Sequence, residues 1–291
     1  MRLLTFRVDG AGRTGLLRPD GSNEVVELED VDHMLDLIDA GPEGLAHAAR
    51  TLASARSRSH RLQDVEVLAP LPNPRGNVIA IGRNYQAHAE ESARAAGKTV
   101  DPPTVFTKAV TTIAGPYDDV VADAAVTSQV DWEVELGIVV GRAGINIRRH
   151  HALDHIFGFV ALNDVSARDI QFGWGGQFFK GKSLDGFCPI GPWIVTPDEI
   201  EDPQSLRLSL RVNGVVKQDG NTRDMIYPVD AVIEWVSKGM TLLAGAIIAT
   251  GTPDGVGFAR TPPEFLKSGD VMEAEVERIG TLRNRIVSAA G

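Results

Sequence analysis

The positions of the apolar residues predict a protein built mainly of β-strands. Short runs rich in Val and Ile recur between glycines and prolines, and we predict a strand in each of NVIAIG, ELGIVVG, FGFVALN, IGPWIV, LRLSLRV, AIIATG and VMEAEVERIG. Apolar and polar positions alternate at residues 206–212 and 272–276. Such alternation is typical of a sheet with one covered face.

Helical patterns are few, and the chain divides into a small N-terminal part and a larger part. In the larger part we predict helices at residues 85–96 and 229–240, the second beginning after Pro228. Residues 1–70 contain two strand-like runs, LLTFRV and GLLRP, and then a helical stretch at residues 31–55. The Pro-rich segment 69–74 follows. We therefore predict an α+β protein, mainly β, with a small N-terminal α+β unit at residues 1–70 and a larger domain at residues 71–291.

Composition and charge exclude several classes of protein. The 291 residues, 43% of them hydrophobic and 23% charged, are typical of a globular chain with a sizeable core. There is no run of about 18 apolar residues for a membrane span, and the N-terminal apolar stretch is too short for a signal peptide, so we expect a cytoplasmic location. The net charge of -10 disfavours nucleic acid and anionic membranes as partners. An anionic substrate must therefore meet local cations.

Three acidic residues form the first candidate site. Glu133 and Glu135 are two apart on a predicted strand, so their side chains face the same way and repel each other unless a cation lies between them. A solvated edge strand explains that pair equally well. Asp164, at the end of FGFVALN, adds a third carboxylate. Three oxygen ligands without a nearby Cys or His motif favour Mg²⁺ or Mn²⁺.

A second candidate site is the segment GRNYQAHAEE, where a strand gives way to a helix. His88 and Glu91 are i,i+3 neighbours on one helical face, so the carboxylate can orient the imidazole. An imidazole held in this way can take a proton near neutral pH. A surface helix with an ordinary ion pair remains an alternative for the same spacing.

Residues 176–183, GQFFKGKS, match the letters of the phosphate-binding motif GxxxxGK[ST]. That motif must follow a buried strand and open a helix. Gly186 and Pro189 follow within six residues and prevent a helix. We therefore expect no nucleotide binding here and interpret Lys182 as a cation aimed at an anionic substrate.

Two glycine-rich connections are interpreted as parts of the same site. The long connection 165–187 predicts a mobile loop over a site. The segment TGTPDGVG at residues 250–257 predicts a tight turn, and the amides of such a turn can bind a carboxylate. A simple connection between strands explains the turn equally well.

For the cysteine and three clustered histidines we predict no catalytic or metal-binding role. Cys188 is the only cysteine, and its setting in GFCP favours a small buried residue over a reactive thiol. His150, His151 and His155 have no cysteine nearby, so we predict surface histidines instead of a zinc site.

Taken together, the chain resembles the fumarylacetoacetate hydrolase family over about residues 70–290. The segments that carry the resemblance are, in order, GRNYQAHAEE, DWEVELGIVVGR, GFVALNDVSARDIQ, GKSLDGFCPIGPWIV, VNGVVKQDGNTRDMI and ATGTPDGVGFAR. Residues 1–70 resemble, more loosely, the small N-terminal unit of longer members. The resemblance implies mixed β-sheets rolled into a barrel-like sandwich, with few helices, and a homodimer.

The resemblance also implies residue roles. The metal ligands would be Glu133, Glu135 and Asp164. The catalytic residues would be the dyad of His88 and Glu91 together with Lys182. The substrate-binding residues would be Arg83, Gln171 and Thr252, or its neighbour Thr250. Lys180 and Glu90 are competitors for the lysine and the acid.

The implied activity is metal-assisted cleavage of a C–C bond in a 2,4-dioxo acid, such as an acylpyruvate or fumarylpyruvate. His88 would deprotonate a water that attacks the distal carbonyl, and Lys182 would stabilise the oxyanion. The same enolate chemistry also serves decarboxylation or tautomerisation of oxaloacetate and isomerisation or hydration of a 2-oxo-enoic acid, so these reactions stay open. A protein that binds a 2-oxo acid without turnover is the alternative from another class.

Overall fold

The structure, a computed structural model, describes residues 1–54 and 56–289 and is mainly β. The strands are β1 Arg2–Val8, β2 Ala11–Leu17, β3 Glu24–Glu27, β4 Ser59–Arg61, β5 Glu66–Val67, β6 Val78–Gly82, β7 Thr104–Lys108, β8 Ile113–Ala114, β9 Val120–Ala122, β10 Val130–Asp131, β11 Val134–Val140, β12 Ile156–Asn163, β13 Ser166–Ala167, β14 Cys188–Val195, β15 Arg207–Val212, β16 Val215–Asn221, β17 Ile247–Ala249, β18 Val271–Val276 and β19 Gly280–Ser288. The α-helices are α1 Met34–Asp39, α2 Gly41–Ala53, α3 Gln86–Ala96, α4 Arg168–Gly173 and α5 Val229–Val236. Short 3-10 helices cover Leu62–Asp64, Val110–Thr112, Arg149–His155, Pro197–Glu199 and Thr222–Asp224.

The predicted fold class is confirmed, and the seven predicted strands of the larger part all form, as β6, β11, β12, β14, β15, β17 and β18. The helix predicted at residues 85–96 is α3. The stretch 31–55 is two helices, because Gly41, which begins the second, has a φ of 55° and Pro42 lies in its first turn. Ala55, the last predicted residue of the stretch, lies outside the described residues. Helix α5 is four residues shorter than predicted, since the chain turns at Gly239, whose φ is 71°.

Two sheets enclose the main apolar core. The larger is mixed and runs β4-β3-β2-β1-β14-β12-β11-β17-β6-β7, with β5 and β8 paired at its side; the smaller runs β16-β15-β18-β19-β9. The alternating apolar residues of β15 and β18 point into the core between them, against Val134, Leu136 and Ile138 of β11. In the described part of the chain neither sheet closes into a barrel.

The N-terminal segment 1–70 joins the large sheet through β1. Arg2 and Leu3 pair with Val195 and Ile194 of β14. Leu3 also shares an apolar core with residues from the larger part of the chain. The domain division at residue 70 stays a prediction, and the predicted end of the larger domain, Gly291, lies outside the described residues. Among the described helices, none is both long and apolar enough to cross a membrane.

Candidate active site

The three predicted carboxylates converge where β11 begins and β12 ends. Glu133 directly precedes β11, Glu135 lies on it, and the antiparallel register that pairs Val134 with Asn163 brings Asp164 alongside Glu133. The Asp164 amide donates to the Glu133 carbonyl at 2.9 Å. All three side chains are buried, and one oxygen from each lies within 4.8 Å of the others. The structure therefore brings together the residues that we predicted as metal ligands.

Three buried cations hold two of these carboxylates, Glu133 and Asp164. Lys182 Nζ donates to Glu133 Oε2 and to Asp164 Oδ2, both at 2.8 Å. Lys108 Nζ donates to Asp164 Oδ1 at 2.6 Å. Arg168 Nη2 lies 2.7 Å from Glu133 Oε1. Lys182 therefore lies inside the acidic cluster, where it is joined by Lys108 and Arg168, which the sequence analysis missed. Its predicted role towards an anionic substrate stays a prediction.

The pKa directions show which carboxylate lacks a counter-charge. Burial alone would raise the pKa of Glu133, but Lys182 and Arg168 lower it to about 2. The pKa of Glu135 is raised well above its usual value by burial and by the neighbouring charges of Asp164 and Glu133. Its close donor is the Gly251 amide, 2.7 Å from Oε2. Burial opposes the charge of Lys182, yet Asp164 and Glu133 raise its pKa. Burial and the charges of Asp164 and Glu133 thus oppose the ionisation of Glu135.

The donor set fits a divalent cation. The triad and the buried Asp131 supply four carboxylates, which Lys108, Arg168 and Lys182 balance only in part. Carboxylate oxygens are the ligands that Mg²⁺ and Mn²⁺ prefer, and three of them leave coordination positions for water and substrate. A dication beside Glu135 would neutralise the carboxylate whose ionisation burial opposes.

The His88–Glu91 pair forms as predicted, on the first two turns of α3. His88 Nδ1 lies 2.9 Å from Glu91 Oε1. The Gly255 amide donates to both carboxylate oxygens of Glu91, at 3.1 and 3.0 Å. Because a carboxylate only accepts hydrogen bonds, Nδ1 carries the proton of this bond, and in a neutral imidazole Nε2 then keeps the lone pair. A dyad of this kind can act as a base, and His88 lines the cavity described next.

A cavity of about 560 Å³ connects the dyad with the carboxylates. Of the predicted residues, its walls include His88, Glu133, Glu135, Lys182, Arg83, Gln171 and Thr252. Phenylalanines at 106, 172, 178 and 258 line it as well. The cavity can therefore hold a small acid with one end at the carboxylates and an apolar wall beside it.

The two threonines of the 250–257 turn differ in position. Thr252 lines the cavity, donates its hydroxyl to Val134 O at 2.8 Å and accepts from Gln218 Nε2 at 2.7 Å. Thr250 is fully buried, and its hydroxyl donates to Leu136 O at 2.8 Å. Thr250 thus ties the turn to β11, and Thr252 is the one that borders the cavity.

Arg83 enters the cavity from the junction between β6 and α3. Its φ of 58° lies in the left-handed region, which a non-glycine residue rarely adopts. Its Nη1 donates to Asp101 Oδ2 at 3.2 Å, and its guanidinium lies 5.9 Å from the centre of the Phe178 ring. The competing residues lie elsewhere: Lys180 is exposed, and the exposed Glu90 accepts from Gln86 at 2.7 Å.

The segment with the P-loop letters has no P-loop structure. In the described residues it forms turns, and strand β14 follows it at Cys188 instead of a helix. The connection 165–187 is also more regular than predicted, since it contains β13 and α4. Its mobility stays a prediction.

Among the residues for which no catalytic or metal-binding role was predicted, Cys188 is buried as expected. Burial raises the pKa of its thiol to about 12. The prediction of surface histidines is wrong for His155. That residue is buried, and its Nδ1 lies 2.8 Å from Arg142 O. It closes a short 3-10 helix against the protein, so its exposure could not be inferred from composition alone.

A buried chain of charges that the sequence analysis missed supports the triad. Arg168 Nε donates to Asp131 Oδ2 at 2.8 Å, and Nη1 donates to Gln171 Oε1 at 2.9 Å. Because the Gln171 oxygen faces Arg168, its amide nitrogen is left as the donor for the cavity. Asp131 itself accepts from the amides of Gly257 and Phe258 at 2.7 and 3.0 Å. Asp131 stands two residues before Glu133, a spacing that could have placed it on the same side.

Comparisons with known proteins show which family and which relatives this chain resembles. A family model described as fumarylacetoacetate (FAA) hydrolase C-terminal matches residues 77–287. Oxaloacetate tautomerase YisK of Bacillus subtilis is 43% identical over 271 residues, covering 90% of this chain and 89% of that protein. The human mitochondrial oxaloacetate tautomerase FAHD2A is 39% identical over 295 residues, covering 99% and 92%.

Solved structures extend the comparison over the whole fold. A fumarylacetoacetate hydrolase from Exiguobacterium antarcticum has a TM-score of 0.85 and 39% identity, covering 99% of both chains. A 5-carboxymethyl-2-hydroxymuconate delta-isomerase from Mycobacterium smegmatis has a TM-score of 0.78 and 34% identity, covering 100% of both.

Proposed function

This chain belongs to the fumarylacetoacetate hydrolase family and is an enzyme, and we propose that it interconverts the keto and enol forms of a small 2-oxo dicarboxylic acid such as oxaloacetate. The observation that carries the proposal is one cavity bordered by the imidazole of His88 and by two carboxylates of the triad, Glu133 and Glu135, with Asp164 buried beside them. Relatives 39% and 43% identical are named oxaloacetate tautomerases, which favours this reaction over the C–C hydrolysis that we expected first. The alternative of binding without turnover has no support from these enzymes.

We propose that Glu133, Glu135 and Asp164 hold Mg²⁺ or Mn²⁺. When bound, the ion would polarise the 2-oxo group and so make the neighbouring C–H more acidic. The raised pKa of Glu135 supports this assignment, because a dication beside it would offset the burial and the neighbouring negative charges that oppose its ionisation. The three cations that surround the triad fix the direction of the Glu133 and Asp164 oxygens before the ion arrives.

His88 is the proposed base. Its Nε2 takes a proton from the carbon next to the 2-oxo group, and Glu91 stabilises the imidazolium that results. Two N–H groups of Lys182 donate to Glu133 and Asp164. We propose that the third donates to the 2-oxo oxygen of the substrate as negative charge develops on that oxygen. The imidazolium of His88 then returns this proton to that oxygen, so that one proton has moved from carbon to oxygen and the enol is formed; the reverse steps restore the ketone.

Substrate carboxylates need donors in a chain whose net charge is -10. We propose that Gln171 and Arg83 supply them, the first through the amide nitrogen that Arg168 leaves free and the second through its guanidinium. Thr252 borders the same cavity and is proposed as a substrate contact. Thr250 acts on the substrate only by holding the turn in place.

Ultraviolet absorbance of the oxaloacetate enol tests the proposal. The protein with Mg²⁺ should speed the approach to tautomeric equilibrium without altering the final ratio, and a chelator should remove the acceleration. His88→Ala should slow the reaction about 100-fold or more, the usual contribution of a general base. Equilibration at the rate of Mg²⁺ alone would overturn the proposal.

A second candidate function, hydrolysis of an acylpyruvate, is favoured by the same dyad and by the cavity volume of about 560 Å³, which exceeds what oxaloacetate needs. In that reaction His88 would take its proton from water. Acetylpyruvate and fumarylpyruvate assayed beside oxaloacetate separate the two functions. Pyruvate release that is lost in His88→Ala would establish hydrolysis, whereas tautomerisation without pyruvate release would exclude it.

We also propose that the chain forms a homodimer in the cytoplasm. Light scattering after size-exclusion chromatography should then give a mass near twice 31.2 kDa. A mass of one chain would contradict the homodimer.

A further inference from the structure

We propose that Arg260 is a positioning residue that aims the His88–Glu91 dyad through the backbone of Gly255. The inference rests on the proposed role of His88 as the base. It concerns the turn at residues 250–260, which packs against the second turn of α3.

Gly255 is held on both sides. Its N–H donates to both oxygens of Glu91, at 3.1 and 3.0 Å. Its carbonyl accepts from Trp132 Nε1 and from Arg260 Nη2, both at 3.2 Å. Because the peptide groups before and after Gly255 are both fixed, the direction of its N–H is fixed, and with it the carboxylate that orients His88.

Arg260 joins this turn to the smaller sheet. The same Nη2 donates to the carbonyl of Lys217 on β16 at 2.7 Å. Its Nε is buried and finds no hydrogen-bond partner in the described part of the chain. A buried donor without a partner costs free energy. The Arg260 side chain nevertheless keeps the position in which it contacts the two carbonyls, which indicates that these contacts offset that cost.

The approach of the turn to β16 is close enough to exclude any residue but glycine at position 255. Gly255 has a φ of 100°, and a Cβ there would stand 2.2 Å from Lys217 O. Small displacements of the turn therefore move the Gly255 amide directly. Trp132, the other donor to its carbonyl, directly precedes Glu133 in the chain, and the turn also contacts Glu91 of the dyad and Glu135 of the triad.

Removal of the Arg260 guanidinium should loosen the dyad and leave the triad in place. The amides of Gly251 and Gly257, in the same turn, hold Glu135 and Asp131 through bonds that Arg260 does not make. Mg²⁺ affinity therefore reports whether the turn as a whole has moved. A role confined to the dyad lowers kcat and spares both KM and Mg²⁺ affinity.

The test is a double-mutant cycle with Arg260→Met and Glu91→Ala, assayed by oxaloacetate tautomerisation with Mg²⁺. R260M should lower kcat about tenfold, as the loss of a supporting contact commonly does, with KM and Mg²⁺ affinity within about twofold. Lys can still donate to both carbonyls, so R260K should stay within about threefold of the wild type. In the E91A background R260M should cause no further loss, because the residue through which it acts is gone.

Arg207→Met is the matched control. Arg207 is 58% exposed and pairs with Asp219 on the surface of the smaller sheet. This variant should keep wild-type kcat, and the melting temperature of each variant should be recorded beside the rates. Wild-type kcat in R260M, a full additional loss in the E91A background, or a parallel fall in Mg²⁺ affinity would each overturn the inference.

A measurement that does not depend on enzyme activity separates this inference from the proposed function. The ¹⁵N signal of His88 Nδ1, assigned by its disappearance in His88→Ala, should move in R260M as the bond to Glu91 weakens. An unchanged signal overturns the positioning role even if tautomerisation is confirmed. If instead the wild type lacks tautomerase activity but the signal moves, the proposed function fails and the positioning of the dyad stands.

Discussion

At the scale of single residues, Arg168 connects the charges buried beneath the cavity. Arg168→Met leaves Asp131 buried without its cation and frees one oxygen of Glu133. Breaking a buried ion pair on one side costs about 3 to 5 kcal/mol, so we expect the free energy of unfolding to fall by roughly that amount. Urea unfolding followed by tryptophan fluorescence measures it.

Arg168→Lys should recover only part of this loss, because one ammonium cannot reproduce the fork that contacts Asp131, Glu133 and Gln171. Arg207→Met, on the surface, should cost less than about 0.5 kcal/mol. A loss at Arg168 no larger than at Arg207 would mean that the buried carboxylates find other partners.

Cys188 is predicted to be inert towards thiol reagents in the native state. The side chain is fully buried, and burial raises its pKa to about 12. At pH 8 only about one thiol in ten thousand is then ionised, and the thiolate is the reactive form. Iodoacetamide should label the native protein far more slowly than the urea-unfolded protein, and labelling of the native protein should accelerate as the pH rises. Equal rates in the two states would contradict the buried position.

Site residues could be predicted from sequence where they are close together in the chain and on one regular element. A period of two puts Glu133 and Glu135 on one side of a strand, and a spacing of three puts Glu91 beside His88. Lys108 could not be found in this way, because its partner Asp164 is 56 positions away and the pairing depends on the sheet. The same holds for the pairing of Arg168 with Asp131, 37 positions apart, although the spacing to Glu133 could have singled out Asp131 itself.

At the scale of elements, the connection that carries Lys182 packs tightly on α4, which carries Gln171. A Cβ at Gly181 would lie 2.4 Å from the Gln171 amide nitrogen. Gly181→Ala should therefore displace α4 or the lysine and lower kcat about tenfold or more, since misplacement by about 1 Å at a site can cost 100-fold. Steady-state tautomerase or hydrolase kinetics measure the effect.

Gly173 provides the control for that substitution. It ends α4, and a Cβ there meets nothing within 4 Å. Gly173→Ala should leave kcat within about twofold, because it adds no contact and favours the helix. If both alanine variants behave alike, the close approach at Gly181 does not matter for catalysis.

Strands could be predicted from sequence where they are apolar and not where they are polar. β11 and β12 could be predicted because their sequences are continuous apolar runs, and both strands are almost fully buried. β16 has a single buried residue, the polar Gln218, between Lys217 and Asp219, so its sequence lacks the apolar run that identifies a strand. It forms because β15 supplies a hydrogen-bonding partner along its length, which is a tertiary effect.

At the scale of the whole molecule, the fold depends on pairings between distant segments. β1 pairs with β14, and β6 lies parallel to β17, although the members of each pair are far apart in the chain. Periodicity along the chain contains no information about which strands become neighbours. The mainly β class was therefore predictable, whereas the strand order and the joining of the N-terminal strands to the large sheet were not.

The joining of those strands tests whether residues 1–70 form a separate unit. Without them, β14 loses its partner β1, and the apolar core that contains Leu3, Leu16 and Leu28 opens to water. Burial of each leucine contributes about 1.5 to 3 kcal/mol, and a whole domain is stable by only about 5 to 15 kcal/mol. We expect the fragment 71–291 to lose cooperative thermal unfolding, to bind a hydrophobic dye and to lack turnover. Full-length protein treated identically is the control. A fragment that melts cooperatively near the full-length temperature and retains kcat would show instead that the larger part is an independent domain, because its core and site would then need nothing from the N-terminal segment.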